Sequence, residues 1–206
     1  MPEQPEDPIP AIPPTPPTPQ VVELDARSLR GLAHPLRMQL LTTLRRSGPA
    51  TASQLAAKLG ESSGATSYHL RQLAAHGFIE DAPEHGKGRE RWWQAAHEGV
   101  QFNDALHRDP DPAVRGAADL FIHEVANIHT REISTWLGNP NDWSEAWRSS
   151  SDLSDMTLRL TPETALDLIH RMHELVDSYR AQAPAEGTPE AETVRVHTHV
   201  FPTHTT

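Results

Sequence analysis

The chain contains no cysteine, which excludes thiolate ligation of a soft metal. Nor does any apolar run approach the roughly 20 residues needed to cross a bilayer, and no charged start followed by an apolar stretch resembles a secretion signal. A cytoplasmic protein with no membrane partner is therefore expected. No phosphate-binding glycine loop, nucleophile elbow or paired metal motif appears either, so neither an enzyme nor a bound cofactor is expected.

Residues 51–96 are the informative part of what is present. Thr51, with Gln54 three residues later, predicts a capping box at the start of a short helix, and Gly60 supplies the left-handed residue that often ends one. Leu55 and Leu59 share a face of this helix. Ser62 is placed to cap a second helix running to about His76, in which Thr66, Leu70 and Leu73 recur as the buried stripe. Its other face carries Ser63, Gly64, Ser67, Tyr68, Arg71 and Gln72. Gly77 ends the helix, and a two-stranded hairpin is expected over residues 78–96, with Pro83 and residues 86–88 at its tip.

That order is a helix-turn-helix followed by a wing, an arrangement that places the second helix in the major groove of DNA. Arg71 is suited to guanine and Gln72 to adenine, while the Ser62 cap and the Ser63 and Gly64 amides lie where a helix N-terminus approaches phosphate. Lys87, Arg89 and Arg91 give the wing cations for flanking phosphates or the minor groove. Trp92 and Trp93 point to opposite faces of their strand, and core packing is the expectation for both.

The net charge of −10 is unusual for a DNA binder until it is divided along the chain. Residues 25–97 hold ten Lys and Arg against six Asp and Glu, whereas the remainder holds eight against twenty-two. The positive footprint is local, and the acidic remainder is expected to weaken nonspecific adhesion to DNA.

The segment resembles the ArsR-type winged helix-turn-helix regulators. The resemblance rests on Leu32-Ala33-His34-Pro35-Leu36-Arg37, on Ala65-Thr66-Ser67-Tyr68-His69-Leu70-Arg71-Gln72-Leu73 at the recognition position, and on Gly77-Phe78-Ile79 followed by Gly88-Arg89 and the paired tryptophans. It covers about residues 24–97. It implies a homodimer that binds double-stranded DNA at a partly palindromic operator, usually as a repressor released by a signal. Relatives that sense arsenic, cadmium or lead do so through cysteine thiolates, which this chain lacks. A His and carboxylate site remains chemically open through His170, His173 and Glu174 or through His197 and His199, but a zinc site needs three or four ligands with supporting partners. His69 is expected to pack or to meet phosphate.

The fold expected overall is mainly α with a small β component. Residues 1–20, dense in proline, predict an extended tail, and residues 21–97 the winged domain. Residues 98–206 predict a helical dimerisation and effector region. Within them a short helix is expected at 100–107, and a long one from about Pro112 to Leu137, with Val114, Ala117, Phe121, Val125, Ile128, Ile133 and Trp136 in one stripe. A second copy of that helix is the expected partner for the stripe, beside packing within the chain. Strand-like alternation at 156–160 and 193–201 brackets an amphipathic helix that opens at Thr161-Pro162-Glu163, giving a strand-helix-strand unit. Similar extensions, with a Trp-rich connection and a Leu-Thr-Pro-Glu helix start, accompany some ArsR-like regulators. Trp136, Trp143 and Trp147 with Phe102 and Phe121 suggest a pocket for a small-molecule effector, although ordinary core packing accounts for them as well. Two other readings use the same features: a protein-interaction module that kept the winged fold and lost DNA binding, and a His/carboxylate metal-responsive repressor.

Overall fold

The Asp25 carboxylate accepts the Ser28 amide while the Ser28 hydroxyl accepts the Asp25 amide, and this reciprocal cap starts α1 (Ala26–Leu32). The computed structural model describes residues 21–85, 90–185 and 187–203; the proline-rich tail lies outside them. The chain separates into one compact unit at Pro19–Ser149 and another that carries Ser150–Thr206.

In the first unit, His34 caps α2 (Pro35–Ser47) through its Nδ1, which accepts the Leu36 amide, and Pro35 occupies the first turn, where its missing N–H costs nothing. Leu36, Leu40 and Leu44 form a buried stripe at helical spacing, joined by Met38 and Leu41. Then follow β2 (Ala50–Thr51), α3 (Ala52–Leu59), α4 (Ser63–Ala75), β3 (Ile79–Asp81) and β4 (Trp92–Ala95). The sheet is antiparallel in the order β2-β4-β3, with Ile79 opposite Ala95, Asp81 opposite Trp93 and Thr51 opposite Trp92. The hairpin expected as two-stranded thus has a third strand. At two residues, β2 is too short to leave an alternating pattern in the sequence. Trp93 is buried in the core, while Trp92, on the opposite face, is half-buried beside His85.

Residues 100–107 do not form the expected helix. Gly99–Gln101 is a strand, β5, parallel to β1 (Val21–Glu23), and a 3-10 helix at Asp104–Arg108 follows under an Asn103 cap. Val22 and its neighbours offer the backbone hydrogen bonds that draw Val100 into extended geometry, a long-range effect that overrides local pattern. This pairing carries the first unit past residue 97.

The long helix is present as α5 (Pro112–Gly138), capped by Asp111 and spanning about 40 Å at 1.5 Å per residue. Its first half is spent within the chain: Val114, Ala118 and Phe121 are buried in the common core with Leu29, Leu32, Leu40, Leu70, Leu73 and Phe78. Ile133 and Trp136 are half-buried, and Leu120, Ile122 and Leu137 are exposed. One polar residue enters the buried face. The Glu124 carboxylate accepts Arg131 Nη2 at 2.7 Å, Asn127 Nδ2 at 3.3 Å and Gln39 Nε2 at 3.5 Å, which joins α5 to α2. A short helix, α6 (Glu145–Ser149), closes this unit.

In the second unit, Thr161 caps α7 (Pro162–Ala181), with Thr164 completing the reciprocal bonds and Pro162 at the first position. The amphipathic pattern is visible in half-buried Ala165, Leu168, Ile169, Met172 and Val176, while Leu175 is exposed. The two flanking strands are not formed: residues 151–160 and 191–203 carry no strand. Alternation makes a strand only when a neighbour takes up the backbone hydrogen bonds, and among the described residues neither segment has one in a ladder. No described helix is long and apolar enough to cross a membrane.

Candidate nucleic-acid interface

Two adjacent caps set the geometry of this face. Thr51 Oγ1 accepts the Gln54 amide and Gln54 Oε1 accepts the Thr51 amide, so α3 begins with the expected capping box. It ends at Gly60, whose φ of 69° is left-handed, and Ser62 Oγ then accepts the Ala65 amide to open α4. With only Gly60, Glu61 and Ser62 between them, the two helices are held in a fixed turn. Thr66, Leu70 and Leu73 are each 0% exposed and fasten α4 inward.

The opposite face of α4 is therefore outward. Ser62, Ser63, Gly64, Tyr68 and Arg71 are exposed, and Ser67 and Gln72 are half-buried. Arg71 has no carboxylate partner among the described residues. His69 turns to the flank: its ring lies 4.3 Å from that of His34 and 5.1 Å from that of Tyr68, centre to centre. Burial lowers the basicity of both histidines, and the Arg37 guanidinium adds to the effect.

The wing is less free than its sequence implies. Arg91 makes a forked contact to Asp81 across the hairpin, with Nη2 to Oδ2 at 2.7 Å and Nε to Oδ1, and its guanidinium carbon lies 4.0 Å from the centre of the Trp93 ring. The hydrogen bonds that Arg91 donates to the Asp81 carboxylate raise the Arg91 pKa and lower that of Asp81. Lys87 and Arg89 lie outside the described residues.

Other cations in the domain are also committed. Arg30 pairs with Asp111 and Arg46 with Glu132. Both acids lie beyond residue 97, so the surface is less positive than the count over 25–97. Arg45 donates its Nε to the His97 carbonyl at 3.0 Å, and burial pulls its pKa down to about 10.

Sequence reasoning missed Glu90. Its Oε1 accepts the Ser53 hydroxyl at 2.9 Å, linking the approach to β4 with the first turn of α3. Nothing in the local pattern marks this pair, which is 37 residues apart.

Elsewhere, Phe102 and Phe121 stack with ring centres 5.6 Å apart, filling the core rather than lining a ligand pocket. Trp143 and Trp147 are half-buried. A cavity of about 380 Å³ does occur, lined by polar Glu23, Asp25, Asn103 and Asp109 together with Leu24 and Leu106. Among the described residues, no group of three or more His, Asp and Glu is arranged to hold a metal ion.

Comparison with known families agrees with the helix-turn-helix. Residues 32–82 match the model of a helix-turn-helix domain family. Among curated proteins, none matches the chain. Solved structures similar to it include a homodimeric winged helix-turn-helix DNA-binding domain from Mycobacterium bovis, described as a possible ArsR-family transcriptional regulator. It is 23% identical over 50% of this chain and 79% of that one, with a TM-score of 0.33. An ArsR-like transcriptional regulator from Rhodococcus sp. RHA1 is 23% identical over 53% of this chain and 87% of its own, at 0.30. The transcriptional repressor BigR from Xylella fastidiosa is 20% identical over 50% and 84%, at 0.31.

Proposed function

We propose that this protein is a sequence-specific DNA-binding transcriptional regulator, a homodimeric repressor of a palindromic operator. The observation that carries the proposal is the outward face of α4. Hydroxyls, an open glycine and an arginine with no acidic partner among the described residues are presented there by a helix whose reverse side is wholly buried.

In this reading α4 enters the major groove, the Ser63 and Gly64 amides meet phosphate at its N-terminus, and Arg71 and Gln72 address base edges. Lys87 and Arg89 of the wing hold the flanking backbone, whereas Arg91 serves chiefly to brace the hairpin. A palindrome requires two such helices about 34 Å apart, hence two copies of the chain. Exposed Leu120, Ile122 and Leu137 on α5 are consistent with a further partner for that helix.

The test is selection of duplexes by the full-length protein from a random pool, with its mass in solution measured alongside. A palindromic consensus bound by a species of twice the monomer mass is the expected result. If no duplex is retained at low ionic strength, the reading is wrong.

A further inference from the structure

Beside the outward face of α4 lies a cleft of about 240 Å³ between α3, α4 and the start of β4, lined by Ser53, Ser67, Arg71, Glu90, Arg91 and Trp93 among others. Ser67 and Arg71 belong both to this cleft and to the proposed DNA-reading face. The two arginines differ in their commitments. Arg91 is answered by Asp81, while Arg71 has no acidic partner among the described residues. Into the same cleft the chain places one carboxylate, Glu90, and fastens it there with the Ser53 hydroxyl. The neighbouring Arg91, pinned to Asp81 and Trp93, fixes the backbone from which Glu90 springs.

From this arrangement we infer that Glu90 is a built-in competitor of the DNA backbone, a tethered anion that limits how strongly the cleft beside α4 attracts phosphate. The inference rests on the DNA-binding reading and adds a residue that sets its strength. A phosphate nearing Arg71 meets a fixed negative charge lining the same cleft. Between solvent-exposed unit charges a few ångströms apart, repulsion is modest and screened by salt. It acts on every duplex alike, because phosphates carry no sequence information. Glu90 thereby lowers general affinity for DNA while leaving base choice to α4. A carboxylate that instead accepted a hydrogen bond from a cytosine amino group would do the opposite, strengthening one sequence over others.

Glu90→Gln, Glu90→Ala and Ser53→Ala separate these cases in the full-length protein. The probes are a duplex retained by the wild type from a random pool and a mixed-sequence duplex, each titrated over a range of salt. Both Glu90 variants are expected to bind both duplexes about three- to tenfold more tightly at low salt, with the gain shrinking as salt rises. Ser53→Ala, which frees the carboxylate without removing it, gives a smaller gain, and adding it to Glu90→Gln gives nothing more. If the wild type binds and the Glu90 variants bind equally or more weakly, the inference fails while the DNA reading stands. If no form binds either duplex, both fall together.

Discussion

The ring of His76, at the C-terminal end of α4, occupies the space that a side chain on Gly31 of α1 would need: a Cβ there would fall 2.2 Å from His76 Cγ. The contact sets how closely α4 approaches α1. Gly31→Ala must drive the imidazole out, and by analogy with other overpacked sites it is expected to cost about 1–3 kcal/mol. Urea denaturation measures this. In a His76→Ala background the same change should cost much less, because the two residues share one volume; equal costs in both backgrounds would refute the contact.

Histidines on this flank predict acid sensitivity. Burial, then the nearby Arg37, depresses His34; burial, His34 and Arg37 depress His69 against a weaker pull from Glu61. For His76 the causes are burial, then Arg27 and Arg37, opposed by Asp25. All three pKa values fall below the ordinary 6.5 in the folded protein. Between the folded and unfolded values the unfolded chain binds more protons, so stability is full above about pH 6.5 and declines as pH drops below it. It levels off once the folded protein is protonated too. Urea midpoints measured between about pH 7.5 and 5 should show the decline, and His69→Gln should flatten it.

Glu124 has the opposite setting. Burial pushes its pKa up, but the hydrogen bonds and charge of Arg131, with Asn127 and Gln39, more than offset this and leave it below 4.5. Its contribution is present above that value and is lost as pH falls through the folded pKa. Arg131→Ala leaves the carboxylate with only its amide partners. Since Arg131 is half exposed, the expected loss is about 1–2 kcal/mol. An unchanged unfolding midpoint would show that the pair contributes nothing.

On DNA, Arg71 and Lys87 should behave differently. Arg71→Ala is expected to cost about 1–3 kcal/mol on the selected duplex and to relax preference at one position. Lys87→Ala should weaken all duplexes alike and reduce the salt slope by about one. Binding isotherms on matched and mismatched duplexes distinguish the two. An Arg71 variant that weakens every sequence equally would remove it from base reading.

The helix-turn-helix was legible because its signals are local. The Thr51 and Ser62 caps, Gly60 and the Thr66-Leu70-Leu73 stripe lie within one or two turns of what they control. The expected helix at 100–107 failed because Val100 answers to Val22, far away in sequence. The segments at 156–160 and 193–201 failed conversely, since alternation supplies a face but not a neighbour. At the interface, the outward residues of α4 could be read from periodicity. The ties of Arg91 to Asp81 and of Glu90 to Ser53 could not, because a charge pattern does not say which opposite charge or hydroxyl the fold brings near.

Thr51 is at once the last residue of β2, opposite Trp92, and the cap that opens α3. With no spacer between sheet and helix, the joint has no slack. If the chain binds DNA as proposed, a backbone pulling on the wing would tilt α3 along with β4, and α4 with it through the short turn, so grip at the periphery and aim at the bases would be one mechanical adjustment.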